Sequence, residues 1–182
     1  MPEQGFRNYW YPVMLSRQLK KRPVKRRLLG EDIAFWRDGG KVNAIADRCP
    51  HRGASISRGH IRFPGSGTIT CPYHGWTYNL EGALVLTPDF GGVCNFDRAA
   101  NGLVPVQTAV WKNWVFVKLT SGNPSLEDFL GKDLIGRLEH LNLERMKWFE
   151  RRTYTLNCNW KVFVDNYLDG GYHVPCIHGG LN

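Results

Sequence analysis

The sequence predicts a small antiparallel β domain followed by the start of a second, α+β domain. Three observations carry that expectation. From Tyr9 to about Leu119 the apolar residues fall in short, strand-length runs separated by Gly, Asn and Asp turns. After Thr120 the apolar spacing lengthens toward a helical period. Between the two lies Ser121-Gly122-Asn123-Pro124-Ser125, a linker of turn residues. The expected division is residues 1–120 and residues 121–182, the second part being too short to close a core of its own.

The elements follow in order. Ile33-Ala34-Phe35-Trp36 is an apolar run ending at Asp38-Gly39-Gly40, a hairpin turn signal. Val42 to Ala46 is the returning strand and leads to Cys49, and Thr68-Ile69-Thr70 leads to Cys71 in the same way. A second hairpin is expected at Leu80-Glu81-Gly82, after Trp76-Thr77-Tyr78. Val104 to Leu119 contains two strand-like segments joined by Trp111-Lys112-Asn113-Trp114. Ser125, with Asp128 three positions on, marks a helix start before Phe129 and Leu130. Leu134 to Leu143 reads as another short helix, and Phe149 to Leu156 as a weakly alternating strand. Asn157 or Asn159 then caps a helix whose Trp160, Val164, Tyr167 and Leu168 share one face.

Composition narrows the function classes. The chain has 182 residues, normal apolar content and abundant aromatics, as a globular protein does. No apolar run approaches a membrane span, and Met1-Pro2-Glu3-Gln4-Gly5 lacks a signal-peptide pattern, so the expectation is cytoplasmic. Cys94, Cys158 and Cys176 read as free thiols rather than a disulfide framework. The formal charge is +8, much of it between Arg17 and Arg27. That stretch reads first as a solvated strand face and alternatively as a docking patch for an acidic electron donor. No basic-aromatic nucleic-acid module is present, so nucleic acid is not an expected partner.

Two short loops carry the chemistry: Cys49-Pro50-His51-Arg52-Gly53 and Cys71-Pro72-Tyr73-His74-Gly75-Trp76. Each holds one cysteine and one histidine, with nineteen residues between His51 and Cys71. Common zinc sites pair like with like, two cysteines in one clip and two histidines in another. A Rieske [2Fe–2S] centre instead places two thiolates on one iron and two imidazoles on the other. Mixed clips, each donating one ligand to each iron, suit that cluster. The ligand count alone also permits a structural zinc site.

A second constellation lies in Asp165 to His178. His173 and His178 are five apart, and Gly170, Gly171 and Pro175 disfavour a regular helix between them. Two histidines and a carboxylate form the facial triad of non-haem Fe(II) oxygenases. Taken alone the pair reads as surface histidines; downstream of the mixed loops it reads as metal ligands.

The two loops, with Asn159-Trp160-Lys161, Asp165-Asn166, Asp169, Tyr172-His173 and His178, resemble the α subunit of a Rieske non-haem iron oxygenase, the aromatic-ring-hydroxylating superfamily. The run Asp165 to His178 is most similar to choline-monooxygenase-type members. The resemblance covers nearly the whole chain. It implies an antiparallel β Rieske domain followed by the beginning of a helix-grip catalytic domain. It implies that Cys49 and Cys71 hold one iron of the cluster, that His51 and His74 hold the other, and that Trp76 shields them. It implies His173 and His178 as ligands of a mononuclear Fe(II), with Asp169 as a hydrogen-bonded bridge between the two centres. A ligand imidazole donates its second N–H to such a carboxylate; the plainer role for Asp169 is a helix cap. Arg52 either tunes the cluster by its charge or forms a surface ion pair.

The implied activity is O2-dependent hydroxylation of an organic substrate, by aromatic-ring hydroxylation or oxidation of a choline-type quaternary ammonium. The implied partners are an NAD(P)H-dependent reductase, a ferredoxin in some members, and neighbouring subunits of a homotrimer. The resemblance implies a third iron ligand, a carboxylate, downstream of Asn182, so the chain reads as an N-terminal fragment or a truncated gene product. The alternative function is a Rieske ferredoxin-like electron carrier without an oxygenase site.

Overall fold

The computed structural model describes residues 6–62, 64–169, 171, 176–178 and 180. Among these residues nine strands form three three-stranded antiparallel sheets. β1 (Tyr11–Leu15) pairs with β9 (Trp114–Lys118), which pairs with β8 (Gln107–Trp111). β2 (Val24–Leu28), β3 (Glu31–Asp38) and β4 (Lys41–Ala46) form the second sheet. β5 (Thr68–Thr70), β6 (Thr77–Asn79) and β7 (Leu84–Leu86) form the third.

β3 explains the uninterrupted apolar run. Side chains alternate across a strand, and here both faces are covered. Ile33 and Phe35 enter a core with Met14, Leu19, Ala44, Val115, Val117 and Leu119. Ala34 and Trp36 enter the other, with Ile45, Ile56, Ile69, Tyr78 and both loop cysteines. A strand buried on two sides reads as continuous rather than alternating. The hairpins expected at Gly39-Gly40 and Glu81-Gly82 are present as the β3–β4 and β6–β7 connections. The segment before β8 laces onto β4 through Ala46 N–H to Val104 O (3.0 Å) and Val106 N–H to Ala44 O (3.1 Å).

The chain separates into two compact units, Met1–Met146 and Lys147–Asn182. The linker expected at 121–125 lies within the first of these units, for a physical reason. The buried Lys118 ammonium donates to the carbonyls of Gly122 and Pro124, and the Trp10 indole N–H donates to Pro124 O at 3.0 Å. Leu126 packs with Trp10 and Phe116. A buried cation requires such acceptors, so the linker is fastened to the β domain. α1 (Leu126–Glu139) follows, capped by Ser125 Oγ, which accepts the Asp128 N–H at 3.1 Å. Gly131, at φ 75, breaks the helical run, so the stretch after it is a second short helix, as expected around Leu134, which ends at Glu139 rather than Leu143.

The second unit contains α2 (Trp160–Leu168), capped by Asn159, whose Oδ1 accepts the Lys161 N–H at 3.0 Å. Residues 149–156, expected as a strand, have no ladder partner among the described residues. Alternation alone makes no strand without a neighbour to accept its hydrogen bonds. Among the described residues no helix is long and apolar enough to cross a membrane.

Candidate metal centre

The two loops share one backbone frame. The Cys49 N–H donates to Ala54 O (2.9 Å) and the Gly53 N–H to Cys49 O (2.8 Å). The Cys71 N–H donates to Trp76 O (2.8 Å) and the Gly75 N–H to Cys71 O (3.2 Å). Counted from the cysteine, the closures coincide. Gly53 and Gly75 both sit at φ 71, a left-handed conformation that costs glycine little. The histidines alone differ in position, second after the cysteine in one loop and third in the other.

This frame sorts the four side chains by type. Cys49 and Cys71 are each 2 % exposed and belong to one core. They lie close enough for each sulfur to feel the other. Burial pushes the Cys71 thiol above its ordinary value, Cys49 adds to that, and the backbone N–H groups of Tyr73 and His74 oppose it. Those N–H groups point at the sulfur and favour its thiolate. His51 is half-buried and His74 exposed, with ring centroids 4.6 Å apart. Partial burial, then the charges of His74 and Arg52, lower the His51 pKa, which favours the neutral, metal-binding imidazole.

The surroundings are specific to each pair. The Tyr78 hydroxyl, on β6, lies 3.2 Å from Cys49 Sγ. Burial first, then that contact, raises the phenol's pKa, so it stays a donor. The Trp76 indole stacks on His51 at 4.5 Å with an interplanar angle of 5°. Phe90 and Phe96 meet Trp76 edge-on at 5.5 and 5.6 Å. Behind the first loop the buried Asp47 carboxylate accepts the Ser57 N–H (2.6 Å) and hydroxyl (2.7 Å), fixing the turn that carries Ile56 into the same core. Tyr73, 65 % exposed, stacks on His74 at the tip.

These residues fit a two-iron cluster. A buried sulfur pair and an outer imidazole pair match a cluster with two ligands on each iron. Cys94, Cys158 and Cys176 are exposed, and none of the five cysteines forms a disulfide.

The second constellation is less fully described. His173 lies outside the described residues. His178 is exposed, and Asp169 ends α2, its N–H donating to Asp165 O at 3.0 Å. Tyr78, Asp47, Phe90 and Phe96 were not legible as site residues from sequence. Only the place of Asp47, two before Cys49, offered a signal.

Residues 9–97 match the family model for the Rieske [2Fe-2S] domain, and residues 143–182 match that for the ring hydroxylating alpha subunit (catalytic domain). The chain is 37 % identical to the chloroplastic choline monooxygenase of Arabidopsis thaliana over 98 % of its own length and 45 % of the relative's. It is 36 % identical to the terminal oxygenase component of carbazole 1,9a-dioxygenase from a Sphingomonas species, over 92 % of this chain and 42 % of the relative's. A solved structure of the reduced complex between oxygenase and ferredoxin in carbazole 1,9a-dioxygenase superposes with a TM-score of 0.59 at 35 % identity. It covers 67 % of this chain and 31 % of that one. The chain thus spans less than half the length of these curated relatives.

Proposed function

Since the chain belongs to the Rieske-type ring-hydroxylating oxygenase α-subunit family, we propose that it serves an oxygenase that spends NAD(P)H-derived electrons on O2-dependent hydroxylation of an organic substrate. The observation that carries this reading is the sorting of ligands, two thiols inside and two imidazoles at the rim. When bound, the cluster supplies one-electron transfer and a mononuclear iron supplies O2 activation.

The chain's own residues do the rest. Cys49 and Cys71 would hold one iron of the [2Fe–2S] cluster, and His51 and His74 the other. Tyr78 donates to Cys49, while the N–H groups of Tyr73 and His74 support Cys71. Trp76, braced by Phe90 and Phe96, keeps water from one face of His51. His173 and His178 would ligate the mononuclear Fe(II). Asp169 would accept the N–H of a ligand imidazole, across a subunit boundary in a homotrimer. The electron donor is a reductase, acting directly or through a ferredoxin. The substrate class follows two relatives, a choline-type quaternary ammonium or an aromatic ring.

The test is metal analysis with EPR on dithionite-reduced, anaerobically purified protein. About two irons per chain and a reduced signal of low average g support the cluster; about three irons add the mononuclear site. Zinc without that signal after reconstitution overturns the reading. Reductase-dependent O2 uptake with choline, against uptake with carbazole, assigns the substrate class, and uptake with neither leaves the electron-carrier alternative standing.

A further inference from the structure

We infer that the wall of the first unit carrying Lys20, Lys21 and Arg22 is the docking surface for an acidic electron-donor protein, an inference that rests on the proposed supply of electrons by such a donor. The basic run borders a groove of about 1470 Å³, and Arg58 and His60 line it as well. Small-molecule pockets hold about 300–1,000 Å³, so this groove suits a macromolecular surface.

Its charge is uncompensated. Asp38 is the one acidic residue among those lining the groove. That carboxylate is buried and accepts the N–H groups of Gly65 (2.6 Å) and Gly67 (2.8 Å). The Arg37 guanidinium is occupied too, donating to Ser16 Oγ at 2.8 Å and Gly40 O at 2.8 Å. Lys20, Lys21, Arg22 and Arg58 are exposed and have no acidic partner among the described residues. Four free cations around a groove select an acidic surface, and complementary fields speed encounter. Within the same basic run Lys25, which does not line the groove, is paired to Asp32 at 3.0 Å.

Position supports the same partner. The His60 N–H donates to Thr70 O (3.3 Å) and the Thr70 N–H to His60 O (3.0 Å). Thr70 immediately precedes Cys71. One ladder step therefore separates the groove wall from the strand that delivers a cysteine of the candidate centre. Sequence placed the basic run; the fold adds Arg58 to it and sets both beside that strand.

The test compares two double charge reversals in the full chain, Lys21→Glu/Arg58→Glu in the groove and Lys132→Glu/Arg145→Glu, two exposed residues of the same unit that do not line it, which change net charge equally. The probe is an acidic plant-type [2Fe–2S] ferredoxin, with affinity measured calorimetrically across ionic strength. The groove pair is expected to weaken binding on the order of tenfold or more at low salt. The control pair should change it less than about threefold, and the gap should close near ~1 M salt, where charges are screened within about 3 Å. Equal losses in both pairs, or none in either, overturn the inference. So does tighter binding of a short DNA duplex than of the ferredoxin, which would make the groove a polyanion site. The absorption and EPR spectra of the same samples report on the cluster separately, so loss of that reading is distinguishable from loss of this one.

Discussion

Replacing Tyr78 with Phe removes one hydroxyl and leaves the ring. The ring is fully buried in the core that holds both cysteines, and its packing survives the change. What is lost is the contact at 3.2 Å to Cys49 Sγ. A thiolate ligand only accepts, so in the loaded protein the phenol is the donor. The raised pKa of Tyr78, caused first by burial, keeps the proton there across the working range. Hydrogen bonds to sulfur set the potentials of iron–sulfur centres. Reduction adds negative charge to the cluster, so a donor stabilises the reduced state more than the oxidised one, and removing it lowers the potential.

The magnitude follows from the hydrogen bond. A neutral bond contributes about 1 kcal/mol and one to a charged group about 1.5–3 kcal/mol. The part that depends on redox state is of order 1 kcal/mol. For a one-electron couple a tenfold change in equilibrium, about 1.4 kcal/mol, is about 59 mV. Tyr78→Phe is therefore expected to lower the midpoint potential by about 40–60 mV with the cluster content unchanged. Redox titration of the purified protein followed by EPR measures it. A shift under about 10 mV, or one upward, would refute the assignment of Tyr78 as a donor to a cluster ligand.

Other changes test the scaffold. Asp47→Asn exchanges two charge-assisted bonds to Ser57 for at most one neutral acceptor. A loss of about 1–2 kcal/mol is expected in denaturant titration, and Ser57→Ala should add less in that background than alone. Gly59→Ala places a Cβ 2.0 Å from Thr70 O, so the His60–Thr70 pairing must open. Overpacking of this kind costs about 1–3 kcal/mol, and iron content should fall because Thr70 precedes Cys71. Phe96→Ala removes one brace from Trp76. With Phe96 only partly buried, the expected cost is about 2 kcal/mol, below the ~3–5 of a fully buried ring. Trp76 fluorescence should shift to the red and the visible bands should bleach faster in air.

Legibility tracked sequence distance. Both loops were readable because their cysteines, histidines, glycines and prolines are neighbours in the chain. Ser125 and Asn159 announced their helices because a cap bonds two or three residues on. The Tyr78 hydroxyl was not readable, because its meaning depends on β6 lying beside the loop that leaves β4. Nor was the attachment of residues 121–146 to the β domain, since it rests on Trp10, Lys118 and Pro124 meeting across the fold. The strand expected at 149–156 shows the converse failure: a local pattern is no strand until another segment pairs with it.

The shared frame of the two loops divides the centre into parts that answer to different perturbations. Equivalent closures at Cys49 and Cys71 deliver the sulfurs from strand ends into the core, where Tyr78 and Ile56 surround them. The one-residue offset of the histidines sends the imidazoles outward at an interplanar angle of 59°, where Trp76 and Tyr73 are the neighbours. A change in the core, such as Tyr78→Phe, would thus reach the iron that Cys49 and Cys71 would hold. A change in the aromatic brace, such as Phe96→Ala, would reach the iron that His51 and His74 would hold. The first should move the potential without altering its dependence on pH. The second should alter the pH dependence that imidazole ligands confer, because exposure to water changes the environment of the His51 N–H.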